Sequence, residues 1–164
     1  MPLTAEERDR RIEQYTSAPK RLRDTLASVP QEAMKWRPEP AEFSVHEIVC
    51  HCADSETNAY SRIRYLLTAE KPVIVGYDPD TWAREFDYAS HPLDAALATV
   101  EAVRANTAPV LRRLPDAAWE KEGTHTESGS YTAADWLRIY SEHLEEHIDQ
   151  INRTLDAWRT ARSS

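Results

Sequence analysis

Hydrophobic residues recur every three or four positions through four long segments of the chain, which is the spacing of helices that bury one face. The first segment opens at Thr4, which forms a capping box with Glu7. It ends before Pro30, and a proline inside it predicts a kink near residues 17 and 18. Its apolar stripe comprises Ile12, Tyr15, Pro19, Leu22, Leu26 and Val29.

A second helix is predicted from Ser44, which forms another capping box with Glu47, to about Thr68. A mixed connection follows at residues 70–90, and connections of that length commonly cover part of a protein. The candidate residues for a covering loop are Tyr77, Asp78 and Trp82. A surface loop that is merely held in place by its aromatic residues is the alternative.

Two further helices complete the pattern. Pro92 suits the first turn of a third helix, because its missing N–H would be unpaired there. Thr132, with Asp135 three residues later, caps a fourth helix that is predicted to run to about Trp158. The expected structure is all-α, a four-helix bundle with a long connection between helices 2 and 3, forming a single domain over residues 1–164. With only three Gly in the chain, an all-β fold is disfavoured.

The charge balance argues against a nucleic-acid partner. The formal net charge is -8, and the basic residues are interleaved with acidic ones instead of forming a basic face. No apolar run approaches the roughly 20 residues of a membrane span, and the first residues do not resemble a signal peptide. We therefore expect a cytoplasmic protein with no membrane partner, in which Cys50 and Cys52 are reduced.

The strongest chemical signal lies in the fourth predicted helix, where His143 and His147 occupy positions of the apolar stripe. Four residues apart on a helix, they project from the same face about 6 Å apart along the axis, so both imidazoles can bind one metal ion. The alternative is that both are core histidines hydrogen-bonded to carboxylates or carbonyl groups of neighbouring helices. A third ligand would favour the metal site.

His51 is the candidate for that third ligand. It lies at the edge of the apolar face of the second predicted helix, near Ser55 and Asn58, which are candidates to orient the metal-binding rings. His46 is expected to be exposed or at the helix cap. The remaining histidines, His91 and His125, are weaker candidates.

Spacing excludes two known metal motifs. A zincin has Glu directly after the first His, where this chain has Leu144. A ferritin-like di-iron site has Glu three residues before each His, and Tyr140 and Leu144 stand there instead. Glu146 and Gln150 flank the histidine face and are candidates to orient the rings, although an exposed helix flank is the favoured alternative for Glu146.

Three sequence blocks together resemble the DinB superfamily, in its YfiT-like branch. They are FSVHEIVCHCADSE at residues 43–56, GYDPDTW at residues 76–82 and HLEEHIDQI at residues 143–151. The resemblance implies an up-down-down-up four-helix bundle, homodimerisation, and a divalent metal held by His51, His143 and His147 with water. The donor set fits Zn, Ni, Fe or Mn, and does not choose among them.

The resemblance also implies the range of activities. Some members of this family are transferases or isomerases that use a low-molecular-weight thiol such as bacillithiol, mycothiol or glutathione, and others are described only as metal-dependent hydrolases. The leading hypothesis is a metal-dependent enzyme acting on a small-molecule substrate, with thiol transfer favoured over hydrolysis. A protein that binds a metal or small ligand without turnover is the alternative, and a helical scaffold with core histidines is a third interpretation.

Overall fold

The structure is a computed structural model that describes residues 3–163. The helices are α1 (Ala5–Ala27), α2 (Val45–Thr68), α3 (Pro79–Glu85), α4 (Leu93–Leu111) and α5 (Ala133–Ser163). The strands are β1 (Val73–Ile74), β2 (Glu122–His125) and β3 (Gly129–Thr132), and two 3₁₀ turns lie at Gln31–Ala33 and Asp116–Glu120. The four long helices are those predicted from the hydrophobic pattern.

The predicted starts of α1, α2 and α5 are confirmed by their hydrogen bonds, whereas α4 begins at Leu93 and Pro92 is its N-cap instead of its first residue. Thr4 and Glu7 form the capping box of α1, and Ser44 and Glu47 form that of α2. At the start of α5, the Thr132 main-chain N–H donates to the carboxylate of the residue three positions later, at 3.0 Å. In each case polar side chains satisfy main-chain groups that have no partner within the helix.

The four long helices pack as a four-helix bundle. Helix α1 packs on α4 and α5, and α2 packs on the same two helices, so that α1 and α2 lie diagonally across the bundle. The predicted stripe of α1 is buried throughout. On α5, the aromatic and aliphatic stripe residues are buried in the same core, among them Trp136, Tyr140, Ile151 and Leu155.

An ion pair lies inside this core and was not predicted. Arg104 of α4 and Glu56 of α2 are both fully buried, with Nε and Nη2 of the guanidinium 2.9 and 2.6 Å from the same carboxylate oxygen. The guanidinium also donates to the main-chain oxygens of Tyr15 and Tyr140. Arg104 therefore joins all four long helices, and its contact on α5 lies one turn before His143.

A small three-stranded sheet replaces two segments that the sequence predicted as loops. Strand β1 pairs in parallel with β2, with Val73 opposite Thr124, and β2 pairs antiparallel with β3. The polar segment at residues 123–130 is thus a hairpin, and Gly129 adopts a positive φ of 79° at its turn. This sheet fastens the connection between α2 and α4 onto the end of the bundle.

Within the part of the chain that the structure describes, no helix combines the length and apolar character that crossing a membrane requires. Cys50 and Cys52 are free thiols, and both are buried in the core.

Candidate metal centre

Three histidine rings from two packed helices converge on one point. His51 projects from α2, and His143 and His147 project from successive turns of α5. The ring centroid of His51 lies 5.5 Å from that of His143 and 4.7 Å from that of His147, and the two α5 rings are 4.5 Å apart. One nitrogen of each ring lies within 4.8 Å of one nitrogen of the others.

The distances between these nitrogens suit one shared cation. Nitrogens that bind one tetrahedral ion at about 2.1 Å lie roughly 3.4 Å from each other. The Nε2 atoms of His143 and His147 are 3.2 Å apart. His51 is buried and the two α5 rings are partly buried, so a bound cation would lie at the inner end of an opening to solvent.

A hydrogen bond to Gln150 fixes the tautomer of one ring. Nδ1 of His147 lies 2.8 Å from the side-chain oxygen of Gln150. An amide oxygen only accepts, so Nδ1 carries the proton and Nε2 keeps its lone pair. That lone pair faces His143, which is the direction required of a metal ligand.

The electrostatic environment keeps the three rings neutral. Burial and the neighbouring His147 lower the pKa of His51 to about 4. Burial, with the other two rings and Arg104, holds the pKa of His143 well below its ordinary value. Burial also lowers the pKa of His147, against the opposing effect of Gln150. Neutral imidazoles are the form that binds metals.

Hydrogen bonds within residues 3–163 do not account for the cluster as a set of satisfied core histidines. The α5 rings bond to each other, to Ser55 and to Gln150, and to no carboxylate or main-chain carbonyl. The buried Nδ1 atoms of His51 and His143 have no partner there. Buried polar groups normally have partners, so the donor set fits a metal better than the core-histidine alternative.

The candidate orienting residues differ in their contacts. The hydroxyl of Ser55 lies 3.5 Å from Nε2 of His143. Asn58 instead donates to the main-chain oxygen of Asp54, so its amide is used within α2. Glu146 is exposed, as its alternative interpretation expected, whereas Gln150 bonds directly to His147.

The other histidines lie outside the cluster. His46 lies beside the N-cap of α2, but the expectation that it is exposed was wrong: its ring is buried, and Nε2 bonds to the main-chain oxygen of His91, which covers it. His91 itself is exposed. His125, on β2, accepts a hydrogen bond from the main-chain N–H of Glu127 through Nδ1.

A cavity of about 280 Å³ opens beside the rings. The connection between α2 and α4 contributes part of its wall through Tyr77, whose ring stacks on Trp82 with centroids 4.3 Å apart. Asp78 instead caps α3 and is exposed. The cavity is lined by His51, Ser55, Arg62, Gly76, Tyr77, Pro79, His125, Glu127, Ile139, Tyr140 and His143.

Two polar residues of this wall were missed by the sequence analysis. Arg62 lies about three helical turns after His51, on the same face of α2, and Tyr140 lies one turn before His143. Nη1 of Arg62 donates to the Tyr140 hydroxyl at 2.9 Å. Extending the histidine faces along both helices would have found the pair, whereas Glu127 reaches the cavity only through the unpredicted hairpin.

Two curated relatives align with most of this chain. A protein of Oceanobacillus iheyensis named "putative metal-dependent hydrolase" is 31% identical over 140 residues, which cover 85% of this chain and 81% of that protein. A protein of Bacillus licheniformis with the same descriptive name is 31% identical over 156 residues, covering 92% of this chain and 87% of that protein.

A solved structure shares the fold. It is YfiT from Bacillus subtilis, described as a probable metal-dependent hydrolase with an unusual four-helix bundle topology. The TM-score is 0.86 at 24% sequence identity, and the match covers 93% of this chain and 87% of the YfiT chain. The model of one family, the DinB superfamily, matches residues 14–151. Together with the relatives that are 31% identical, this match shows that the chain belongs to the DinB superfamily.

Proposed function

We propose that this protein is a metal-dependent enzyme that binds one divalent cation through His51, His143 and His147 and acts on a small molecule. The observation that carries the proposal is the convergence of three neutral imidazoles at the edge of a cavity. The names of the relatives support the same class of activity. Zn, Ni, Fe and Mn all remain suitable for this donor set.

The cation, when bound, would supply Lewis acidity toward a water or thiol in its open positions. Residues of this chain orient one of the three rings and keep all three in the neutral form that binds a cation. Gln150 holds His147 with its Nε2 lone pair inward, and the buried surroundings of His51 keep that ring neutral. The hydroxyl of Tyr140 stays protonated because burial raises its pKa, so it can donate a hydrogen bond to a substrate in the cavity.

Between the two candidate reactions, the cavity wall favours transfer of a low-molecular-weight thiol. Hydrolysis at a metal commonly uses a carboxylate as general base beside the attacking water. Glu127 is the acidic residue in the wall of this cavity, and it is exposed. A thiol needs only to lose its proton before its sulfur bonds to an electrophilic carbon and the leaving group departs.

Hydrolysis is the second candidate, and the descriptive names of the relatives favour it. A single screen distinguishes the two. Protein loaded separately with each of the four metals is assayed with glutathione, bacillithiol or mycothiol plus the electrophile 1-chloro-2,4-dinitrobenzene, and with a panel of esters and amides. Thiol transfer predicts conjugation that needs the metal and is lost in His147→Ala, while ester or amide cleavage with the same dependence would favour hydrolysis.

Metal binding with no turnover in either panel would favour the binding-protein alternative. The resemblance also predicts a homodimer, and the charged first residues predict a cytoplasmic location. A second copy would cover large apolar side chains that are exposed here, namely Tyr65, Val73, Val75, Phe86 and Ile139. Light scattering of the purified protein measures the oligomeric state directly, and a monomer at all concentrations would contradict this part of the proposal.

A further inference from the structure

Arg62 places a positive charge in the wall of the cavity beside the three histidines. Its side chain is half-buried on α2. Nη2 donates to the main-chain oxygen of Val75 at 2.6 Å, and Nη1 donates to the hydroxyl of Tyr140 at 2.9 Å. These two bonds hold the guanidinium in one position between the helix and the connection that follows it.

Both hydrogen-bond partners of Arg62 are neutral, and so is the Tyr77 ring, whose centroid lies 6.0 Å from the guanidinium carbon. No carboxylate of residues 3–163 forms an ion pair with it, in contrast to the buried Arg104, which is paired with Glu56. A half-buried cation without a counter-ion is unfavourable unless solvent screens its charge or a ligand brings a negative charge to it. The two bonds also leave further guanidinium N–H groups without a protein partner.

The acidic residue of the same cavity does not neutralise this charge. The carboxylate of Glu127 packs against Gly76, where an added β-carbon would lie within 2.6 Å of its atoms, and it forms no ion pair with Arg62. Both residues line the cavity, but Glu127 is exposed, whereas Arg62 is half-buried. The guanidinium of Arg62 is therefore a positive charge that is held in place and is not neutralised by the acidic residue of the same cavity.

The position of Arg62 relative to the rings is set by Tyr140. The hydroxyl of Tyr140 accepts from Arg62, and its ring centroid lies 6.0 Å from that of His143. A small molecule that reaches the histidine cluster through this cavity would thus pass the guanidinium. One fixed cation with free N–H donors matches a carboxylate in charge and geometry.

We propose that Arg62 binds a carboxylate of the substrate or of the thiol while the reacting atom lies at the histidine cluster. The inference rests on the proposed function, because it names the chemical class that this site selects. Arg62 acts here as a specificity residue, and its bonds to Tyr140 and Val75 hold it ready without rearrangement.

The test uses two thiols that differ only in charge, 3-mercaptopropionate and 3-mercaptopropionamide. Each is titrated into Co²⁺-loaded protein, and the sulfur-to-metal charge-transfer absorption reports binding. Wild-type protein is expected to bind the carboxylate at least about tenfold more tightly, which is the size of one charge-assisted hydrogen bond. Arg62→Gln is expected to bind both thiols equally.

Arg64→Gln is the matched control, because Arg64 lies on the same helix but contacts Tyr60 and Thr107 away from the cavity. It is expected to keep the wild-type preference. If Arg62 has only a structural role, Arg62→Gln would bind both thiols more weakly by the same factor, and the ratio of the two affinities would stay at the wild-type value. That result, or equal affinities in wild-type protein, overturns the proposal.

Absence of the absorption with both thiols would instead contradict thiol binding at the metal. The Arg62 proposal is then decided without metal, by following the Arg62 Nε–H resonance during titration of metal-free protein with propionate and with propionamide. A shift produced by propionate alone supports the carboxylate site. No shift with propionate, or equal shifts with both, overturns it.

Discussion

The side-chain oxygen of Gln150 lies 2.8 Å from Nδ1 of His147, one helical turn along α5. Such a bond fixes the tautomer and orientation of a metal-binding ring, and removing it typically weakens metal affinity about 10- to 100-fold. We therefore predict that Gln150→Ala binds Zn²⁺ more weakly by a factor in that range, measured by competition with a chelator. Its helical content should remain unchanged.

The matched control for this prediction is Glu146→Ala, on the same turn. Glu146 is exposed, and its interaction with His147 is a charge effect across solvent. We expect its Zn²⁺ affinity to stay close to that of wild-type protein. Equal losses in the two variants would show that Gln150 has no special role in orienting the ring.

The histidine cluster makes the stability of the metal-free protein depend on pH. His51 has a pKa of about 4 in the folded protein against an ordinary value of 6.5. Between these values the unfolded chain binds a proton that the folded chain does not, so the free energy of unfolding falls as the pH falls through this window. The pKa values of His143 and His147 are also lowered in the folded protein, so both rings add to this dependence.

Urea titrations of metal-free protein between pH about 6.5 and about 4.5 check this prediction, with each ring contributing up to about 1.4 kcal/mol per pH unit. The range ends at the ordinary pKa of Glu47, 4.5, and above that of Asp135, 3.8, so carboxylates with lowered pKa values lose most of their contribution to stability below it. His51→Leu should show a shallower dependence. An identical slope in wild-type protein and in this variant would contradict the assigned neutral state.

Breaking the buried ion pair of Arg104 and Glu56 is predicted to lower the free energy of unfolding far more than breaking an ion pair on the surface. Arg104→Met leaves the Glu56 carboxylate buried without its counter-ion, and the loss of one buried partner costs about 3–5 kcal/mol. The control is Lys20→Met, which breaks an exposed pair with Asp24 and should produce no measurable change. Denaturant unfolding of both variants measures the difference, and similar stabilities would contradict the structure.

Gly123 allows the hairpin to approach the connection that precedes α3. A β-carbon there would lie 2.6 Å from the main-chain oxygen of Pro72, too close without a backbone shift. Gly123→Ala is predicted to lower the free energy of unfolding by about 1–3 kcal/mol. Gly129→Asn is the control, since its β-carbon would meet open space and Asn tolerates a positive φ. A smaller loss for Gly123→Ala than for this control would contradict the packing.

The predictable parts of the fold are those with local causes. The capping boxes at Thr4 and Ser44 depend on residues three positions apart, and the helix stripes repeat along one segment. Arg104 could not be predicted, because its burial depends on Glu56 from another helix. The hairpin could not be predicted either, since its short polar strands are stabilised in part by β1, about fifty residues earlier.

In the candidate site, too, the residues that could be predicted are those with local causes. His143 and His147 stand out because one helix places both on one face, while His51 joined them through its helix position and the family resemblance. The expectation that His46 is exposed was wrong because the chain near residue 91 covers it from a distance in sequence. Asn58 bonds to its own helix backbone, a choice that the face of α2 alone does not reveal.

The most direct test of the account is the metal content of untagged protein, measured by mass spectrometry for wild type, His147→Ala and the exposed control His91→Ala. We predict about one divalent ion per chain in wild type and in the control, and less than about a tenth of that in His147→Ala, with the helical circular dichroism unchanged in all three. A full complement of metal in His147→Ala, or none in folded wild-type protein that has been supplied with each of the four metals, would contradict it.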